Sequence, residues 1–205
     1  MDFKAKWFIF FTGRPNAGKS SLLRRLTGLP IPSGKHPGTT KTFREVAIYA
    51  TPEPISFVDL PGFGRITGMK KERVEKIKDD LIKLVEDKHS QIILSIHVID
   101  LTTFVKVSLN LERKGIIPID EEMVQFLKEL NIPTWIAANK TDRLKSQKKM
   151  ALLKELGRKM PPTVAIYPIS CRSGEGITSL KRALKKFIEQ HFGSHYAQNF
   201  LKRRL

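Results

Sequence analysis

The sequence predicts an α/β fold in three layers, a mainly parallel six-stranded sheet with helices on both faces. Three observations carry that expectation. Short apolar runs alternate with amphipathic stretches along the chain; the first run passes directly into a glycine-rich turn and then a helical pattern; and no repeat or Pro/Gly/Ser-rich linker divides the sequence. With 205 residues the chain has the length of one domain. A chain of this size buries about 70% of its unfolded surface and needs no disulfide or metal staple.

The elements follow in order. Residues 7–12 (WFIFFT) form a continuous apolar run, as a strand covered on both faces requires. The basic residues before it give a faint likeness to a secretion leader, but the run is too short for one and reads as the first buried strand. LLRRL (22–26) opens a helix after the glycines. Alternation in TFREVAIYA (42–50) predicts an edge strand, and ISFVD (55–59) a central one. Between 70 and 88, Val74, Ile77, Leu81 and Val85 recur at spacings of three and four, the buried stripe of a helix. IILSIHVID (92–100) has the length and β-branched content of a fully buried strand. Residues 102–118 carry no pattern that assigns them. Asp120 reads as an N-cap, followed by Glu121 and Glu122 in a first turn and by Met123, Phe126, Leu127 and Leu130 on one face. TWIAAN (134–139) and VAIYPIS (164–170) are the last strands, and Ser173 precedes a helix with Ile177, Leu180, Leu184, Phe187 and Ile188 in its buried stripe.

Charge is the compositional outlier: 37 Lys and Arg against 20 Asp and Glu, a net +17. This predicts a polyanionic partner, most simply nucleic acid. A lysine-rich surface selected for stability would raise glutamate alongside lysine, which does not happen here. The single cysteine, Cys171, excludes a disulfide framework, and five scattered histidines offer no metal-ligand spacing and no nucleophilic triad. No run approaches the ~18 apolar residues of a membrane span. The expectation is a monomeric, cytoplasmic protein.

GRPNAGKS (13–20) fits G-x-x-x-x-G-K-[ST] between a predicted strand and a predicted helix, the context that motif requires. The loop Gly13, Arg14, Pro15, Asn16, Ala17 and Gly18, with Ser21 at the helix start, would surround phosphate oxygens with the backbone N–H groups of its non-proline residues at a helix N-terminus. Lys19 would neutralise β/γ-phosphate charge, and the Ser20 hydroxyl would face Mg²⁺. DLPG (Asp59, Leu60, Pro61, Gly62) ends a buried strand about 40 residues later. There Asp59 can hold Mg²⁺ through water and Gly62 can give its N–H to a γ-phosphate. NKTD (Asn139, Lys140, Thr141, Asp142) ends the fifth strand. A carboxylate at Asp142 can accept from both N1–H and the exocyclic amine of guanine, a pair adenine does not present. Asn139 can reach the base N7 or tie the loop back to the phosphate loop, and the Lys140 stem can cover the base. In SCR (Ser170, Cys171, Arg172) a backbone N–H can reach guanine O6, with Cys171 a small space-filler rather than a reactive thiol. Within HPGTTKT (36–42), Gly38, Thr39 and Thr40 form a loop that a γ-phosphate would order, Thr40 offering a second hydroxyl to Mg²⁺. Lys19, Thr40 and Gly62 are the expected catalytic residues.

These five motifs in order resemble those of a translation-factor-type GTPase, and GRPNAGKSSLL, PGTTKT and FVDLPGFGR together resemble the EngB (YihA/YsxC) family over residues 5–190. The resemblance implies a Ras-like P-loop fold with one antiparallel edge strand, GTP or GDP with Mg²⁺ as ligands, and a switch acting in large ribosomal subunit assembly. Family members are also linked to cell division and septation. The segment 102–118, longer than the connection expected of bacterial members, points to a divergent, archaeal-type branch; NKTD where many members begin with threonine and the lysine excess are further departures from the family pattern.

Ras-type enzymes place a water-orienting glutamine after D-x-x-G. Phe63 stands there, so slow intrinsic hydrolysis is expected. Related GTPases with asparagine at the Asn16 position bind K⁺ beside the phosphates, which makes Asn16 the candidate K⁺ ligand. Residues 143–159 and 181–205 each carry seven Lys/Arg against one acid, on helices expected to share a surface for rRNA or a large-subunit precursor. Residues 1–190 form the G domain, and 191–205 a basic helical tail in which His191, His195, Tyr196 and Phe200 could stack on RNA. The competing reading is a GTP-binding scaffold in division or at a membrane surface, with incidental hydrolysis.

Overall fold

Six strands pair into one sheet: β1 (Trp7–Thr12), β2 (Arg44–Tyr49), β3 (Ile55–Asp59), β4 (Ile92–Asp100), β5 (Thr134–Asn139) and β6 (Ala165–Pro168). Their spatial order is β2-β3-β1-β4-β5-β6. β2 runs antiparallel to β3, and the remaining pairs are parallel. This is a computed structural model, and it describes residues 6–31, 43–49, 54–63, 71–194 and 196. Six α-helices lie among these residues: α1 (Lys19–Thr27), α2 (Lys71–Lys88), α3 (Phe104–Glu112), α4 (Ile119–Glu129), α5 (Ser146–Lys159) and α6 (Ile177–Phe192).

The period-two alternation of each strand sorts its side chains between the two helical layers. In β1, Ile9 and Phe11 pack with Leu22, Leu23 and Leu26 of α1 and Leu180, Leu184 and Ile188 of α6. Phe8 and Phe10 pack with Leu81 and Val85 of α2 and Met123 and Leu127 of α4. In β5, Ile136 and Ala138 face Phe104 of α3 and Leu156 of α5, while Ala137 faces the α1–α6 layer. So α5 and α6 lie on opposite faces of the sheet. The two basic helices do not share one surface; they flank the β6 edge, meeting Ile166 from one side and Tyr167 from the other.

Other expectations are adjusted. Residues 104–112 form α3, where sequence assigned nothing. β2 is described only over 44–49, and β6 is shorter than 164–170 because Ile169 and Ser170 already leave the ladder. The last helix begins at Ile177 behind Gly176, four residues after Ser173. Asp120 is not an N-cap: Pro118 occupies that position, and the Asp120 carboxylate, in the first turn, accepts from His97 Nε2 at 3.1 Å. His97 Nδ1 lies 2.9 Å from Thr12 Oγ1, which also meets Ser95 Oγ at 3.3 Å. This buried polar chain ties the start of α4 to β1 and β4, and the helix dipole favours the carboxylate there. Tyr196 is buried against Phe192, their ring centroids 5.5 Å apart, and His191 lies on the Phe187 ring at 4.0 Å, so both rings already have partners within the fold. His195 and 197–205, most of the predicted tail, lie outside the described residues, as do Gly38, Thr39 and Thr40.

Candidate functional site

Four loops meet at the carboxyl ends of β1, β3 and β5 and just after β6. The first, residues 13–18, links β1 to α1. Gly18 sits at φ +109°, and a Cβ there would drive into the Asn139 amide, so only glycine admits both the turn and that neighbour. Asn16 also has positive φ (62°), and its side chain is exposed. The Lys19 ammonium turns back onto the loop, donating to the carbonyls of Gly13 (2.9 Å) and Arg14 (3.1 Å). Burial strips it of water and lowers its pKa to about 8, against the opposing pull of Asp59 and Asp120. A phosphate anion would offer this desolvated ammonium a better partner than two carbonyls. Ser21 lies on the first turn of α1 beside Ser20.

Ser20 Oγ donates to Asp59 Oδ2 at 2.6 Å. Burial raises the Asp59 pKa, while Ser20, Lys19 and Arg44 pull it back. The second carboxylate oxygen, Oδ1, is buried without a hydrogen-bond partner. A hydroxyl and a carboxylate side by side, with one oxygen still needing a donor, fit a hard divalent cation and its water, so the residues suit Mg²⁺. Leu60 turns into the core, leaving only its backbone toward the site, and Pro61 is buried. Gly62 lies on Pro15, where a Cβ would be 2.6 Å from the proline nitrogen, so the second loop touches the first.

Phe63 is 2% exposed and packed among Phe8, Phe10, Val58 and Leu60, its ring 5.9 Å from that of His97. It orients no water. Phe63→Ala is expected to cost about 3–5 kcal/mol of stability, as truncation of a buried aromatic does. Thermal unfolding should show the loss, with GDP affinity of the folded protein unchanged within twofold.

Asn139 is the junction of the site. Its Nδ2 donates to the Ala17 carbonyl (2.8 Å) and its Oδ1 accepts from Cys171 N–H (3.0 Å). Of the two expected roles, the geometry shows the tie to the phosphate loop. Lys140 has φ +69° and pairs with Asp100 at 2.6 Å. Thr141 is buried and turned away, donating to Glu175 Oε2 at 2.8 Å. Glu175 is also held by Lys149, and these two bonds keep its pKa low. Ser170 Oγ accepts from Arg172 N–H (3.2 Å) and Ser173 N–H (3.0 Å), which commits its own proton to Asp142 Oδ1 at 2.6 Å. The exposed Asp142 carboxylate is thereby aimed by a buried hydroxyl. Burial pushes the Cys171 thiol up to about 12, in keeping with a space-filler.

Sequence reasoning missed Arg25. From the last turn of α1 it donates to the carbonyls of Cys171 (2.8 Å) and Arg172 (2.7 Å), bracing the fourth loop against the helix that the phosphate loop opens. Asp100 and Glu175 were missed as well. All three carry their meaning in partners far along the chain, so no local pattern announces them.

The arrangement can hold a polyphosphate, a cation beside it, and a base that offers two adjacent donors. Comparison with known proteins agrees. Residues 8–140 match the model of the family described as 50S ribosome-binding GTPase. The probable GTP-binding protein EngB of Pyrococcus abyssi is 36% identical over 188 residues, covering 90% of this chain and 87% of that one. The protein of the same name from Methanosarcina barkeri is 38% identical, covering 89% and 88%. A crystal structure of a probable GTP-binding protein engB superposes with a TM-score of 0.77 at 34% identity, covering 89% of this chain and 99% of that one. Era, in complex with MgGDPNP and a 16S ribosomal RNA fragment, superposes at 0.67 with 25% identity over 90% of this chain and 57% of that one.

Proposed function

The chain belongs to the EngB family of GTP-binding proteins, within the 50S ribosome-binding GTPases, and from that premise we propose that this GTPase is a slowly hydrolysing switch that docks on large ribosomal subunit precursors. The observation that carries the nucleotide part is Asn139, which joins the loop bearing Lys19 to the loops bearing Asp142 and Ser170. In this reading Asp142 takes N1–H and the exocyclic amine of guanine. The O6 oxygen meets the 170–172 loop, where the Cys171 N–H it would use is shared with Asn139. Loop N–H groups and Lys19 hold the phosphates. Ser20, with Asp59 through water and Thr40, would hold Mg²⁺, which would supply charge neutralisation at the β/γ-phosphates. Gly62 gives its N–H to the γ-phosphate.

Because Phe63 is core, the in-line water lacks a side-chain partner at that position and hydrolysis is slow. Asn16, exposed on the phosphate loop, is the K⁺ ligand of this scheme. Hydrolysis should run about 10²-fold faster in KCl than in NaCl, the low end of what one preorganised group at a developing charge contributes. Equal rates in single-turnover assays would remove K⁺ from the mechanism and leave the missing charge to a partner.

Ribosomal docking is supported by the basic rim flanking β6, with Arg143 and Lys145 exposed just before α5, Lys148 and Lys154 exposed on α5, and Arg182, Lys185 and Lys186 on α6. The likeness to Era, whose structure holds an rRNA fragment, points the same way. The test is co-sedimentation with large subunits in a GTP analogue and in GDP at rising salt. Phosphate contacts predict a steep fall, about 10³-fold between 50 and 200 mM salt for six contacts. Pelleting indifferent to both salt and nucleotide would refute the docking reading.

A further inference from the structure

The excess of positive charge is not spread evenly. Residues 71–129 hold 12 of the 20 acidic side chains but only 10 of the 37 basic ones. That segment supplies α2 and α4, and between them opens a cavity of about 570 Å³. Its surface is apolar, from Phe63, Ile82, Met123 and Phe126, and Ile117 stands at the mouth 69% exposed.

The rim carries more carboxylates than ammonium groups. Glu121, Glu122 and Glu129 border the cavity with Lys78 and Lys159. Lys78 is engaged with Glu122 at 3.1 Å, and Lys159 is shared between Glu112 and Glu121. Glu121 is also hydrogen-bonded by Ser108, with its Oε1 turned into the interior 3.8 Å from the Lys159 ammonium. Glu129 accepts from the neutral Gln125 amide at 3.0 Å, so three carboxylates stand against two ammonium groups. A further cationic donor at this rim would meet carboxylate oxygens that the chain's own lysines do not satisfy, and apolar side chains beside it would cover Ile117 and enter the cavity. The local excess of carboxylate makes this groove a poorer site for RNA than the base-rich remainder of the chain.

We propose that the α2–α4 groove receives a basic amphipathic peptide segment of a protein partner, its apolar side chains in the cavity and its Lys or Arg heads on Glu121, Glu122 and Glu129. This is the helix-in-groove mode of recognition, with apolar anchors one turn apart. The occupant touches Phe63, one residue beyond the Gly62 that rests on Pro15, so it lies next to the loop that answers to nucleotide.

The test uses the GDP-loaded full chain and a fluorescent 12-residue peptide with leucines at helical spacing and lysines between them. A control peptide carries glutamate for lysine. Protein and lysine peptide are both cationic, so general electrostatics opposes binding and saturable association reports the acidic groove. Saturable anisotropy is expected with the lysine peptide alone, weakened at least tenfold by Ile117→Lys and by Glu122→Lys. Both are partly or fully exposed positions outside the nucleotide site, so GDP binding and the circular dichroism spectrum should stay as in the parent. Absence of saturable binding, undiminished binding by either variant, or preference for the glutamate peptide would each overturn the proposal. So would self-association abolished by Ile117→Lys without peptide binding, which would make a second copy the occupant.

Discussion

Asp142→Asn is expected to lower GDP affinity by at least 100-fold and to shift preference toward the xanthine nucleotide. The carboxylate is exposed and aimed by Ser170, whose hydroxyl already accepts two backbone N–H groups and can only donate to Asp142. Guanine would bring two donors to that carboxylate, and hydrogen bonds to a charged group are worth about 1.5–3 kcal/mol each. An amide keeps one acceptor but turns its NH₂ toward a donor of the base. Xanthine presents a carbonyl where guanine has its amine, so the same NH₂ finds an acceptor. Calorimetry with GDP, XDP and ADP decides the matter: a uniform loss for all three would mean that Asp142 shapes the loop and does not read the base.

The second large effect falls on Asn139. Asn139→Ala should weaken every purine nucleotide alike, by 10- to 100-fold, and also lower the stability of the nucleotide-free protein. The side chain is 2% exposed and joins the Ala17 carbonyl to the Cys171 N–H. Its removal leaves two polar groups without partners, at about 1–3 kcal/mol each. For a chain of this size that is a fall in Tm of about 10 °C. GDP, IDP and XDP should keep their ratios, in contrast to Asp142→Asn. An unchanged Tm with weakened binding would place Asn139 on the ligand and not between the loops.

The motifs of the candidate site were legible because each restricts residue type at a fixed spacing (glycine where backbone must approach, lysine for phosphate charge, a carboxylate for paired donors), and the structure brings their described loops together. What escaped was of two kinds. α3 hid because Phe104, Val105, Val107, Leu109 and Leu111 nearly alternate, a strand-like pattern, while its buried positions are Phe104 and the polar Ser108. Asp120 and Arg25 hid because their partners, His97 and the 171–172 carbonyls, are brought to them only by the fold. The placement of α5 and α6 on opposite layers needed the parity of β5 and β6, which a one-residue register change would reverse.

The uneven distribution of charge acts before any contact is made. A body with a large net charge and its acids gathered toward α2 and α4 has an electric dipole as well as a monopole, so a polyanion exerts torque on it as well as attraction. Over the last ~10 Å of approach, the screening length near 0.1 M salt, the molecule is turned so that its base-rich side leads and its acid-rich side trails. Collisions are thereby sorted by orientation, which raises the productive fraction and makes the association rate, more than the lifetime of the complex, the quantity that salt controls. The trailing face is left open to solvent during such an approach, so the proposed ribosomal docking and the proposed peptide site would not compete for one orientation.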